Sequence, residues 1–92
     1  MTQDHAEVIA LQALGWLARS DDLLSVFIGA TGMDAATLRA NAGSADTLVA
    51  VLDFICMDDG WVRSFCDDTG LPYDVPLRAR QALPGGADLH WT

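Results

Sequence analysis

Apolar residues recur every three or four positions along most of this chain, which is the spacing of amphipathic α-helices. No segment shows the strict alternation of apolar and polar residues that a half-buried strand needs, so the pattern predicts an all-α, compact bundle. Residues that start and stop helices divide it into about six helices. These begin near Asp4, Ser20 or Asp21, Asp34, Ser44, Asp58 and Asp74; the third runs through Leu38, the fourth to about residue 57, and the last ends at the Pro-Gly-Gly of residues 84–86.

The first predicted helix extends from Asp4 to about Arg19. Glu7 lies three residues after Asp4, an arrangement like a capping box, in which two side chains satisfy free backbone N–H groups at the helix start. Apolar residues leave only a narrow polar stripe on this helix, so we expect it to be largely buried. Its inward residues are predicted to be Ile9, Ala13, Trp16 and Leu17, with Leu14 beside them.

Glycine marks two of the predicted helix ends. Gly32 is followed by Met33, and Gly70 is followed by Leu71. Glycine accepts the left-handed backbone conformation just beyond a helix, and the next apolar residue packs back on the last turn. We therefore expect the second and fifth helices to stop at these glycines.

The two halves of the chain resemble each other when one is shifted by 38 residues. The segment ALGWLARSDDLLSVFIGATGM, residues 13–33, aligns with VLDFICMDDGWVRSFCDDTGL, residues 51–71, and the apolar positions agree in order and spacing. A repeat of this period is typical of helical units that pack on one another. The sequence predicts one domain at residues 1–86, made of two quasi-repeated three-helix units at about 4–43 and 44–84, and a tail at 87–92.

The charge of the chain narrows the choice of partners. Thirteen acidic residues face five arginines and no lysine, which gives a net charge of −8. Nucleic acid and anionic membranes bind clustered Lys and Arg, so this balance argues against both, and it suits a basic protein or peptide. The acidic start and the absence of a long apolar run predict a cytoplasmic protein with no membrane span.

Two pairs of aspartates flank the fifth predicted helix. Asp58 and Asp59 lie at its start, where carboxylates accept hydrogen bonds from free N–H groups and the helix dipole favours negative charge. Asp67 and Asp68 lie in its last turn, where the dipole disfavours anions and only Arg63, four residues earlier, offers compensation. The second pair is either a solvated face or a contact for a basic partner. On local physics alone, replacing both by Asn is predicted to raise thermal stability slightly.

Residues able to do chemistry are few and scattered. Cys56 and Cys66 fall in apolar positions and match no zinc spacing, which predicts buried thiols, and His5 and His90 lie near opposite ends of the chain. The sequence contains no phosphate loop, no H-E-x-x-H and no G-x-S-x-G. It therefore predicts no enzyme, no cofactor and no metal site, with a weak surface cation site as the open alternative.

Three stretches together resemble a known protein family. They are ALGWLARSDDLLSVFIGATGMDAATLRA, then AVLDFICMDDGWVRSFCDDTGLP, and a closing RQALPGG. They are similar to the small alphaproteobacterial proteins classed as domain of unknown function 3572, over about residues 7–86. The resemblance implies a small helical protein and brings no activity, cofactor or catalytic residue.

The sequence favours a small non-enzymatic protein-interaction module with an acidic surface. Asp67 and Asp68 are the candidate partner-binding residues, and Trp61 is the candidate aromatic anchor, although a core position for Trp61 is the alternative. A homodimer is a second arrangement, because a broad apolar first helix on a small domain can leave a patch to cover. The rival class is a small-molecule or cation-binding protein with undetected activity, which an internal polar pocket at Asp53 or Cys56 would favour.

Overall fold

Six helices and no strand make up the described part of the chain, residues 1–83 of a computed structural model, which confirms the all-α prediction. The predicted stop at 84–86 and the tail at 87–92 lie outside these residues. The helices are α1 (Gln3–Ala18), α2 (Asp21–Thr31), α3 (Ala35–Ala40), α4 (Ala45–Cys56), α5 (Asp59–Thr69) and α6 (Val75–Ala82).

The core lies where α1, α4 and α6 pack against one another, with α2 laid on α1 and α5 laid on α4. Two phenylalanines 38 residues apart in the chain, Phe27 of α2 and Phe65 of α5, are fully buried in it. Aromatic edges meet faces at two points: Phe27 packs on Phe54 with ring centres 5.3 Å apart, and Phe65 packs on Trp16 at 5.8 Å. The radius of gyration is 12.2 Å, close to the ~12 Å expected of a compact chain of this length.

Five of the six helices begin at a side chain that accepts a hydrogen bond from the backbone N–H three residues on. The predicted caps of α2 to α5 are confirmed, and they are Ser20, Asp34, Ser44 and Asp58. The capping box at Asp4 and Glu7 is wrong. Thr2 lies two residues earlier and its hydroxyl already accepts from the His5 N–H at 3.1 Å, so α1 begins at Gln3.

The two glycine stops are confirmed. Gly32 and Gly70 have φ of +77° and +75°, and α2 and α5 end at them. Thr31 and Thr69, just before these glycines, donate hydroxyl hydrogen bonds to the carbonyls four residues back, at 2.8 and 2.7 Å. These two helix ends therefore have the same local structure, 38 residues apart.

The sixth helix begins differently and carries a buried arginine. Asp74 makes no cap hydrogen bond and instead pairs with Arg78 at 3.5 Å, while Pro76 supplies the preset first turn. Arg80 is only 5% exposed and donates from Nε to Asp53 of α4. Asp53 thus lies partly toward α6, because a buried guanidinium needs an anion beside it.

The expectation that α1 is largely buried holds for only one side of the helix. Val8 and Leu11 are 52% and 47% exposed on the side away from the core. The reason is geometric: α2, α4 and α6 cover one face of α1, and no further helix within residues 1–83 covers the other. The α1 helix therefore presents apolar side chains both to the core and to the surface.

Candidate functional site

Asp68, one of the two unexplained carboxylates in the last turn of α5, is held by a tryptophan from α1. The Trp16 indole N–H donates to Asp68 Oδ2 at 2.7 Å, across 52 residues of sequence. Trp16 is only 7% exposed, and a buried indole N–H needs an acceptor. The contact thus explains an acid at a helix end that local physics disfavours, and it ties the end of α5 to α1.

Asp67, the other carboxylate, has an aromatic partner of its own. The Tyr73 hydroxyl donates to Asp67 Oδ1 at 2.7 Å, from the loop that follows α5. This bond to an anion, which favours the protonated phenol, raises the pKa of Tyr73. The ion pairs among residues 1–83 join Arg78 to Asp74 and Arg80 to Asp53, so the predicted compensation of Asp67 by Arg63 is not made.

These two hydrogen bonds oppose the expectation that Asn at both positions would raise stability, which stays a prediction. That expectation rested on the helix dipole alone, worth a few tenths of a kcal/mol for exposed groups. Hydrogen bonds to charged acceptors contribute about 1.5–3 kcal/mol where they are shielded from water, and less at the surface. For Asp68, whose donor is buried, the hydrogen bond outweighs the dipole.

Trp61 is half-buried and stacked, between the two alternatives that the sequence left open. Its ring lies 4.5 Å from that of Phe54, nearly parallel at 22°, and packs against the core cluster. One face of the indole thus packs on the core while the residue stays partly accessible. Trp61 and Asp68 are seven residues apart, two turns along the same side of α5, or about 10 Å.

A polar cleft of about 520 Å³ opens beside Asp68, between α5 and the junction of α1 with α2. It brings together a carboxylate, a guanidinium and two hydroxyls, which suits charged or hydrogen-bonding groups of a ligand or partner. Asp53 and Cys56, whose presence in a pocket would have favoured a small-molecule site, do not line it. The lining residues are Trp16, Arg19, Ser20, Leu23, Ser64 and Asp68.

Both cysteine thiols are harder to ionise than a free thiol. Burial, with Asp53 nearby, raises the pKa of Cys56 to about 11, and burial also raises the pKa of Cys66. Cys66 is buried and its Sγ donates to the Pro72 carbonyl at 3.4 Å. A thiol must ionise to act as a nucleophile, so neither environment activates its cysteine.

Metal-ligating side chains are dispersed within residues 1–83, which contain no group of three or more able to hold an ion. Over the same residues, no helix has both the length and the apolar character that crossing a membrane requires.

Comparison with known proteins gives one match. The model of the family described as "Protein of unknown function (DUF3572)" matches residues 3–86, nearly the whole chain. The chain belongs to this family. No curated protein and no solved structure matches it. The match confirms the resemblance to the family of domain of unknown function 3572.

The fold of this DUF3572 protein brings the candidate residues onto one helix but gives each a separate partner. Asp67 faces Tyr73, Asp68 faces Trp16, and Trp61 lies on Phe54. Sequence reasoning missed the contribution of Trp16, which it assigned only to the core. A pairing of Trp with a distant Asp has no local pattern; the one available hint was an acid pair that the dipole disfavours.

Proposed function

We propose that this protein is a non-enzymatic interaction module of the cytoplasm that binds a basic segment of a partner through the acidic end of α5, meaning Asp67 and Asp68. The observation that carries the proposal is the geometry of these two carboxylates. Each is exposed and each is fixed by a 2.7 Å hydrogen bond to one oxygen. Among residues 1–83, the other oxygen of each accepts no hydrogen bond.

Fixed carboxylates suit recognition of arginine or lysine better than mobile ones do. Exposed ion pairs usually contribute little, partly because two long side chains lose freedom when they pair. Here Trp16 and Tyr73 already restrain the acidic partners, so less freedom is lost on binding. A planar guanidinium can also donate two parallel hydrogen bonds to carboxylate oxygens.

The surroundings add selectivity to this acidic end. The net charge of −8 raises the local concentration of cations and speeds the approach of a basic partner. Trp61, two turns earlier on the side of α5 that carries Asp68, supplies aromatic surface for an apolar or cationic group. We therefore expect a segment with basic residues near an apolar one, rather than a purely polycationic chain.

A second candidate function rests on the polar cleft. Arg19 and Asp68 carry opposite charges at the same cleft of about 520 Å³, which would suit a small zwitterion whose carboxylate meets Arg19 and whose ammonium meets Asp68. An additional Arg19→Ala variant distinguishes this small-molecule class from the interaction module, because the loss of Arg19 would weaken binding of the zwitterion and leave a basic segment bound.

We also propose that the fold arose from an internal repeat of one three-helix unit. It is supported by α2 and α5, which are both capped at the start by a side chain, end at a left-handed glycine and carry the same threonine hydrogen bond. The third helices differ, since α6 packs in the core while Leu38 is the buried residue of α3. Two copies of one unit would thus have diverged most in the third helix.

The test is affinity capture from cell lysate with three proteins: the wild type, Asp67→Asn/Asp68→Asn, and Asp22→Asn/Asp46→Asn. The control pair removes the same charge from exposed acids in the first turns of α2 and α4. We expect a partner with a basic segment that the wild type and the control retain and the α5 variant loses. A partner retained by all three would contradict this site, and no specific partner would contradict the module and favour a ligand.

A further inference from the structure

The surface of α1 opposite the core carries a stripe that is apolar except for Asp4 at its start, which we call the α1 outer stripe. Its members follow the spacing of one helix face and are all exposed; they are Asp4, Val8, Leu11, Gly15 and Ala18. The buried residues of α1 lie on the other side of the helix and are Ala6, Ile9, Ala10, Ala13, Trp16 and Leu17. A helix that is apolar on both faces is typical of one that lies between two packed bodies.

Gly15 lies in the middle of the stripe, and nothing within residues 1–83 requires glycine at this position. Its φ is not positive, and a Cβ built on it would meet no atom within 4 Å. Glycine in a helix interior costs about 1 kcal/mol relative to alanine. A position without a side chain lets another helix approach closely. Val8, two turns earlier on the same face, is the apolar side chain that could fill this position if the other helix is a second copy of α1.

Charges at the two ends of the stripe indicate which molecule would cover it. Asp4 lies near the start of α1, and Arg19 is the residue at its end. Neither side chain forms an ion pair among residues 1–83. An identical helix laid antiparallel on α1 would bring each Asp4 to the partner's Arg19, whereas a parallel one would oppose like charges. The stripe is thus complementary to itself.

We propose that the α1 outer stripe is the contact between two copies of this chain, paired antiparallel about a two-fold axis. In this register Val8 packs on the partner's Gly15, Leu11 lies next to the axis beside the partner's Leu11, and Asp4 pairs with the partner's Arg19. Each contact occurs twice, as two-fold symmetry requires. The inference goes beyond the proposed binding of a basic segment and does not depend on it.

The contact is of the weak, reversible kind. One helix pair buries less than the ~1,200 Å² at the low end of stable interfaces, and two copies of net charge −8 repel each other at long range. We therefore expect a monomer–dimer equilibrium that depends on concentration. A dimer would carry two acidic ends of α5, which would strengthen binding to partners with two basic segments.

The first test is charge reversal, followed by analytical ultracentrifugation over a wide concentration range that reaches the millimolar. Asp4→Arg and Arg19→Asp each place like charges together twice, and we expect each to weaken dimerisation about tenfold. The double variant keeps the net charge of the wild type and restores opposite charges, so it should recover the dimer. A wild type that stays monomeric throughout overturns the proposal, as does a double variant no better than the singles.

The second test separates the interface from the stability of the monomer. Gly15→Gln adds a good helix former where space is open, so the thermal stability of the dilute monomer should rise. The same side chain occupies the place of the partner's Val8, so dimerisation should fall. Stability and dimerisation that rise together, or dimerisation left unchanged, would contradict the proposed register.

Discussion

At the scale of single residues, the contact between Trp16 and Asp68 accounts for the most unusual position in the chain. An acid in the last turn of a helix opposes the dipole, while a buried indole N–H without an acceptor costs more. The hydrogen bond thus offsets both the unfavourable dipole interaction of Asp68 and the cost of burying the Trp16 N–H. The same bond fixes a carboxylate that still faces solvent, which joins the fold to the proposed function.

We predict that Asp68→Ala lowers the free energy of unfolding by about 1–2 kcal/mol, because it leaves the Trp16 N–H unpaired. Asp68→Asn should cost less, since an amide oxygen still accepts the bond. Urea unfolding of Asp68→Ala, Trp16→Phe and the double variant gives the coupling between the two residues. Strict additivity of the two single losses would show that the bond does not stabilise the protein.

The half-buried thiol of Cys56 gives a prediction for alkaline pH. Its pKa is raised from 9.0 to about 11 in the folded chain, so the folded state holds the proton more tightly than the unfolded state does. This contribution to stability is fully present below pH 9 and is lost as the pH rises toward 11. Stability should therefore decline over this range, and Cys56→Ala should decline less, as measured by urea unfolding at several pH values. An equal decline in both proteins would assign the loss to other groups.

At the scale of the helices, glycine has two opposite roles in this chain. Gly32 and Gly70 adopt positive φ, which costs other residues about 1 kcal/mol or more. Gly15 has ordinary helical geometry and open space around it. The same substitution should therefore have opposite effects at the two kinds of position.

We predict that Gly32→Ala and Gly70→Ala each lower stability by about 1 kcal/mol, and that Gly15→Ala raises the stability of the monomer by about 0.5–1 kcal/mol. Thermal unfolding at low protein concentration, where monomers dominate, compares the three directly. A loss of stability in Gly15→Ala would mean that the backbone there needs glycine for a reason within the monomer.

Helix ends were predictable from the sequence because they depend on residues that are close together in the chain. Ser20, Asp34 and Gly32 act on groups within a few residues, so their types suffice. The start of α1 was misplaced because Thr2, a better-placed cap, competes with Asp4. Burial of Arg80 against Asp53 and of Trp16 against Asp68 joins residues 27 and 52 positions apart, and no spacing in the sequence indicates such pairs.

At the scale of the whole molecule, a small acidic domain exposes two distinct surfaces. The acidic end of α5 offers fixed carboxylates, and the α1 outer stripe offers apolar side chains between opposite charges. Within residues 1–83, the fold covers one face of α1 and leaves Val8 and Leu11 on the other face exposed. The sequence indicated the acidic pair as a candidate site; the stripe followed only from which face of α1 the fold buries.

The central claim is that Asp67 and Asp68 receive a basic segment, and the most direct measurement is an NMR titration of the ¹⁵N-labelled protein with an arginine-containing amphipathic peptide. Because Asp68 accepts the Trp16 indole N–H, that resonance reports on the site. We predict that it shifts strongly together with the last turn of α5, that Asp67→Asn/Asp68→Asn abolishes the response, and that Asp22→Asn/Asp46→Asn preserves it. Shifts spread evenly over the acidic surface, or lost equally in both variants, would contradict the claim.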